Sequence, residues 1–576
     1  MMCRTAAGVG LCAALAMGGV SGRADAPAEA TAQQLFDRFH PAGRIDELVL
    51  ARLKEQGRPP SNLCPDDVFL RRVYLDAIGT LPTPAEARSF LADRQPDKRR
   101  QLIDRLLARN EFAEYWGLKW GDLLRVKAEF PSNLWPNGAQ TYDRWIRDSL
   151  RSNKPYDQFA RELLTASGSN FRAPPSNFYR AFQDRAPRQI ADNVALVFMG
   201  LRLVDAGLTE DQLLGLAAFF AKLGYKNTDE WKEEIVYFNP DGKLLNPKTN
   251  QPVPPTPLGG QPLRLAPDQD PRVAFTDWLT APDNPWFARN IVNRIWFWLL
   301  GRGIVHEADD LRPSNPPWSP ALLAYLEKEL VSHKYDLKHI YRLILNANTY
   351  QLTSQPNRWN AADEQGFSHY RIRRLDAEPL LDAINQITGT GERYSSMIPE
   401  PFTFLPGDQR AIALADGSIE LPFLELFGRP PRNTSFEAER TSASSLFQAQ
   451  HLLNSSHIQK KIEQSQALRQ LATGAAWRSA GNRAARAGAA ARKGGKGGKN
   501  QDAVVGGLGK PFELTPDEES PNLVRELYLR VLSRFPTADE QRIAAEYLQS
   551  PKRKPAESFC DLVWALINST EFTLRH

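Results

Sequence analysis

The sequence predicts a mainly α-helical protein: two helical domains joined by a Pro/Gly-rich linker with room for a small hairpin, plus a disordered basic insertion. Three observations carry this expectation. Apolar residues recur at three- and four-residue intervals along most of the chain. The stretch 238–271 breaks that period with Pro, Gly and Asn. Residues 477–510 have almost no apolar bulk to bury.

The first residues, 1–26, read as a secretory signal. Arg4 supplies the positive start, "TAAGVGLCAALAMGGV" a short apolar run, and "ADA" at 24–26 the small-x-small pattern of a cleavage site. The run is too short and too rich in Gly and Ala for a membrane span, and no other long apolar run follows. The expectation is an exported protein, periplasmic or extracellular, with no membrane span in the mature chain. Cys12 lacks the small-residue setting of a lipoprotein site. Cleavage leaves Cys64 and Cys560, which could form one disulfide in an oxidising compartment or stay as two separately buried thiols. Both readings stand at this point.

A first helical domain is expected over 40–237. "FLRRVYLDAIGTLPTPAEARSFLA" puts Leu70, Val73, Tyr74 and Ala77 on one apolar face and stops at "GTLP". Thr83, Pro84 and Glu86 then restart a helix with a capping box. "DKRRQLIDRLLARNEF" continues with Leu102 and Leu106 beside a second row, Ile103 and Leu107. Further on, Thr209 and Gln212 form another capping box ahead of the row Leu213, Leu216, Ala217 and Phe220, with Gly224 as the expected stop. In the linker, 238–271, "NPDGK" and "NPKTNQP" read as tight turns.

The second helical domain is expected over 272–576. Asn284-Pro285 opens a helix in which Phe287, Ile291, Ile295, Trp298 and Leu299 are helically spaced, and Gly301 and Gly303 stop it. Trp296 and Trp298 read as core aromatics rather than as a stacking platform for a ligand. Near the end, "VRELYLRVLSRFPTADE" at 524–540 aligns without gaps onto "LRRVYLDAIGTLPTPAE" at 70–86. Tyr528 matches Tyr74, Thr537 and Glu540 repeat the capping box, and Glu571-Phe572 corresponds to Glu111-Phe112. One supersecondary unit is expected to occur twice.

The chain is 42% hydrophobic and 24% charged, a globular composition, and its net charge of +5 is small for 576 residues. That argues against a specific nucleic-acid binder. Positive charge is concentrated in the insertion, where Arg478, Arg483, Arg486, Arg492, Lys493, Lys496 and Lys499 are candidate contacts for an anionic extracellular polymer or another exported protein.

No residue is assigned a catalytic role. The eight histidines form neither His-x-x-x-His nor HExxH. His333 and His339 are six apart, as are His451 and His457, a spacing that does not align two rings on one helix face, so no metal site is expected. No G-x-S-x-G elbow is present, and "KGGKGGKN" lacks the ending of a phosphate-binding loop. Asp309-Asp310, or Glu437 with Glu439, could be drawn as a hydrolytic pair, but such chemistry needs two carboxylates facing each other across a cleft.

Several long motifs carry a resemblance. "DDVFLRRVYLDAIGTLPTPAEARSFL", "KPYDQFARELL", "LADGSIELPFLELF", "DWLTAPDNPWFARNIVNRIWFWLLGRGIV" and the ending "DLVWALINSTEFTLRH" resemble two-domain secreted proteins of planctomycete-type bacteria. The resemblance runs from about Ile45 to His576, apart from the basic insertion. It implies a cytochrome-c-like domain followed by a planctomycete-specific domain, both of unknown function. Typical members carry Cys-x-x-Cys-His before the helix that ends in "GLAAFF". Here "FMGLRL" and "LTEDQLLGLAAFF" are joined only by Val204-Asp205-Ala206-Gly207, so the haem motif is absent between Leu203 and Thr209 and no cofactor is expected. The resulting expectation is an exported family member of unknown function acting as a haem-free scaffold or interaction protein. Two alternatives remain: a secreted enzyme acting on extracellular polysaccharide, and an electron-transfer protein that binds haem non-covalently.

Overall fold

A computed structural model describes residues 30–472, 520–551 and 553–576; the signal stretch 1–26 and the basic segment 477–510 lie outside the described residues. The chain is mainly helical. Local chemistry sets many of the helix ends. The three capping boxes form as read, Thr83 with Glu86, Thr209 with Gln212 and Thr537 with Glu540, each satisfying amide groups that the first helical turn leaves without partners. Asn284 Oδ1 accepts from the amides of Trp286 and Phe287 at the head of Phe287–Leu300. That helix stops at Gly301, whose φ of 78° is left-handed. A Cβ there would also press within 2.4 Å of Arg373 Cδ, so only glycine fits.

Gly224 does not end a helix, contrary to the sequence expectation. The helix Glu210–Ala217 tightens into a 3-10 turn at Ala218–Phe220, and Gly224 lies in the strand Leu223–Asn227. This strand pairs antiparallel with Glu234–Phe238, and Gly168–Ser169 adds a third short strand. Gly224 stands opposite Tyr237, whose ring occupies the space a Cβ would need. Within 238–271, an isolated antiparallel bridge joins Leu245 and Pro252 around a turn in which the Asn250 amide donates to the Asn246 carbonyl at 2.8 Å.

Two apolar clusters form the interior. The first brings Leu70, Trp116, Trp120 and Phe219 together with Phe275, Ile295, Trp296 and Ile340, so side chains from both sides of 238–271 share one core. The second joins Leu75 and Leu81 to Leu380 and Ile384 of the helix Ala377–Thr388 and to Leu527, Tyr528 and Leu562 near the C-terminal end. Cys64 is buried in the first cluster while Cys560 packs against the second, and no disulfide joins them.

The repeated sequence builds the same unit twice, as Asp66–Ile78 with Pro84–Ala92 and as Ser520–Leu532 with Ala538–Leu548. In each copy one arginine clasps the capping-box glutamate and a later glutamate beneath a tyrosine ring. Arg109 holds Glu86 at 2.8 Å and Glu111, with Tyr74 alongside; Arg534 holds Glu540 at 2.7 Å and Glu571 at 2.6 Å, with Tyr528 alongside. The two arginines do not align in sequence: one precedes Glu111 by two residues and the other sits in the turn before Thr537. The charge arrangement therefore recurs although the residue supplying the cation does not. The copies also meet. Arg71 donates to the carbonyls of Val531 and Phe572 at 2.9 and 2.8 Å, and Arg88 pairs with Glu526. The first unit thereby seats the C-terminal end of the chain.

Candidate functional site

That docking delivers the strand Leu574–Arg575, which pairs antiparallel with Arg373–Arg374 and sets Arg373 opposite Arg575. Like charges facing each other across a ribbon repel, so the pair depends on nearby acceptors. Asp76 provides one: its Oδ1 accepts from Arg575 at 2.9 Å and lies 3.5 Å from Arg373, while its Oδ2 accepts from the hydroxyls of Tyr350 and Tyr370 at 2.9 and 2.8 Å. Arg373 also donates to the carbonyls of Trp298 and Leu299 at 2.9 and 2.7 Å, where the end of a helix concentrates partial negative charge. Asp376, at the head of Ala377–Thr388, accepts from Lys119 Nζ at 2.9 Å and from Arg575 at 3.3 Å.

Arg440 sits beside this ribbon and binds two carboxylates at once, Asp122 at 2.7 Å and Glu378 at 2.6 Å. Glu437 stands on the short turn Glu437–Glu439. Its Oε1 accepts from Trp298 Nε1 at 2.9 Å, its Oε2 lies 3.4 Å from Arg294, and its amide donates to Asp309 Oδ2 at 2.7 Å. These groups surround a cavity of about 70 Å³. Among the described residues, Lys119, Arg373, Arg374, Arg440 and Arg575 face it against two carboxylates, Asp376 and Glu437, with Phe297 and Trp298 as its apolar side and the exposed Ser442 at its rim.

The two carboxyl groups are pushed in opposite directions. Burial resists ionisation of Asp376, but Lys119, Arg575 and Arg440 outweigh it and hold the carboxyl well below the usual range. Burial raises Glu437, with Arg294 and Lys119 offsetting only part of the rise. Behind the wall, burial of Asp122 is likewise overcome by Arg440 and Arg432, which keep it ionised. The buried Nε–H groups of Arg373, Arg374 and Arg575 have no hydrogen-bond partner among the described residues. An arginine-rich wall suits an oxyanion, because planar guanidinium N–H forks match carboxylate, sulfate and phosphate oxygens.

The structure redistributes the residues singled out from sequence. Glu437 and Glu439 do not form a pair: Glu437 faces the cavity, while Glu439 accepts from the amide and hydroxyl of Thr434. Asp309 is buried against Arg294 at 2.6 Å, and the adjacent Asp310 pairs with Arg312. Trp296 is a core residue as expected, whereas Trp298 both packs on Trp116 and lines the cavity. Around Leu203 the chain makes a 3-10 turn, with Leu203 in the core, Val204 exposed and Thr209 capping the next helix. His457 pairs with Glu392 at 3.1 Å. His333 and His339 do meet, their ring centroids 3.7 Å apart, because they belong to two successive helices rather than to one helix face. The cavity cations were not singled out from sequence, although "RIRRLDAEP" places three of its wall residues within four positions of a helix start.

Residues 44–205 match the family PSCyt2, described as a protein of unknown function (DUF1549), and residues 271–548 match PSD1, described as a protein of unknown function (DUF1553). The chain thus carries two families of unknown function in the order the resemblance implies. No curated protein matches it, and no solved structure does. The cavity takes Lys119 from the first matched segment, Trp298, Asp376 and Glu437 from the second, and Arg575 from beyond both. Among the described residues no helix is long and apolar enough to cross a membrane.

Proposed function

We propose that this chain is an exported, haem-free binding protein that holds an anionic group of an extracellular polymer in the cavity between Lys119 and Arg575. One observation carries the reading: five cations from distant parts of the chain converge on a single small cavity whose wall has two carboxylates. Asp76, Asp122 and Glu378 grip three of those cations, so the site is pre-organised rather than a mobile surface patch. A volume of about 70 Å³ leaves room for one small group, such as a single sulfate or carboxylate of a longer chain. The absence of Cys-x-x-Cys-His supports the haem-free part, and the N-terminal segment supports export.

Calorimetric titration with a sulfated oligosaccharide and its uncharged counterpart tests the proposal. The sulfated ligand binds, less tightly as salt rises, and the uncharged one does not. Ser442→Glu places a carboxylate at the rim without touching the buried network. It weakens binding about tenfold or more, which is ~1.4 kcal/mol, with the melting temperature unchanged. Deleting 477–510 leaves this binding in place. Loss of binding in the deletion, with Ser442→Glu unaffected, would move the anion site to the basic segment. A Soret band in material from the native host would end the haem-free reading.

A second reading, an enzyme acting on extracellular polysaccharide, draws on the opposed shifts of Glu437 and Asp376 in one aromatic-flanked cavity. One carboxyl pushed up and another held down is the pattern of the acid and base in many hydrolytic sites. Under this reading Glu437→Gln lowers release of reducing ends from an anionic polysaccharide by ~10²–10⁴-fold while binding persists. No cleavage by the unaltered protein across a panel of such polymers rules the reading out.

A further inference from the structure

The helices Pro320–Ser332 and Leu337–Asn346 are joined by a tight reversal in which Lys334 and Tyr335 both take positive φ, 56° and 60°. His333 ends the first helix and His339 lies in the first turn of the second, so the reversal lays their rings face to face at 3.7 Å and 17°. Glu329, one turn before His333, brings Oε2 to 3.4 Å from His333 Nδ1 and 2.9 Å from His339 Nε2. One potential ligand atom from each residue lies within 4.8 Å of the other two.

We propose that Glu329, His333 and His339 bind a divalent transition-metal ion of the zinc class. Two imidazoles and one carboxylate are a donor set such ions favour, with water completing a tetrahedral shell. A surrounding contact helps to fix one ligand. The His339 amide donates to Asp336 Oδ1 at 2.9 Å. Two parallel rings cannot both aim in-plane lone pairs at one ion, so binding turns one of them. His333 is the ring free to turn: its side chain is 48% exposed, and its Nδ1 leaves only the Glu329 carbonyl and the Ser332 hydroxyl. The site lies on a helical hairpin and is independent of the arginine-lined cavity.

The test uses the full chain, Zn²⁺ calorimetry and the visible absorption of Co²⁺. One equivalent of Zn²⁺ binds, Co²⁺ gives the intense bands of a four-coordinate ion, and Zn²⁺ raises the melting temperature. His333→Ala, His339→Ala and Glu329→Gln each weaken Zn²⁺ binding by about tenfold or more, whereas His451→Ala does not. The metal-free melting temperature reports whether each variant is folded. Absence of saturable Zn²⁺ binding overturns the proposal, as does binding unchanged in the His333→Ala/His339→Ala double variant.

Discussion

Asp76→Ala is expected to destabilise the protein by about 3–5 kcal/mol, the range for removing one partner of a buried ion pair. Asp76 is fully buried and serves four groups, the guanidinium groups of Arg575 and Arg373 and the hydroxyls of Tyr350 and Tyr370. Truncation strands two cations that face each other across a two-stranded ribbon, together with two phenolic donors in the core. Arg575 would keep the Tyr115 hydroxyl and one carboxylate, Asp376, which it already shares with Lys119. Asp76→Asn retains the shape and one of the two acceptor oxygens but loses the charge, so it falls between wild type and alanine. Denaturant unfolding measures both. Because this contact anchors the last strand, the alanine variant should also be clipped by protease near its C-terminal end. A loss under about 1 kcal/mol would mean that the network is not the clamp described above.

The helix that carries Asp76 shows what could be read from sequence and what could not. Its apolar face, Leu70, Val73, Tyr74 and Ala77, follows from spacing, and all four residues are buried. The same helix also buries Arg71, Arg72 and Asp76, which periodicity assigns to solvent. Their burial is tolerable because of partners hundreds of positions away: the carbonyls of Val531 and Phe572 for Arg71, those of Tyr350 and Leu352 for Arg72, and Arg575 for Asp76. No local pattern announces such partners. Capping boxes and the Gly301 stop were legible because neighbouring residues decide them. Gly224 was misread for a related reason: the rule for a helix-ending glycine is local, whereas this glycine answers to Tyr237 across a hairpin. The His333–His339 contact was missed because Lys334 and Tyr335 turn the chain without Gly, Asn or Pro to mark the break. The cavity is the extreme case, since Lys119, Trp298, Glu437 and Arg575 meet only in the folded chain.

Arg440→Met should cost about 3–5 kcal/mol, because it removes the cation that two buried carboxylates share, leaving Asp122 to Arg432 at 2.9 Å and Glu378 to Arg429 at 3.8 Å. Charge rather than packing is the larger part of this effect, and pH separates the two. In the wild type, burial opposes ionisation of Asp122, but Arg440 and then Arg432 prevail and lower it below its ordinary value of 3.8. A carboxyl lowered in the folded state contributes stability that is complete above its unfolded value and fades as pH drops through the folded one. Without Arg440, burial is opposed chiefly by Arg432 and Lys119, so the Asp122 carboxyl moves up from its wild-type position. The variant therefore recovers stability relative to wild type as the solution is acidified, and the gap between them narrows as pH falls from the variant's higher Asp122 value toward the wild-type one below 3.8. Adding Glu378→Gln to Arg440→Met removes one stranded charge and should restore part of the loss at neutral pH. A gap that stays constant across that range, with no rescue by Glu378→Gln, would assign Arg440 a packing role and dissolve the electrostatic account of the cavity wall.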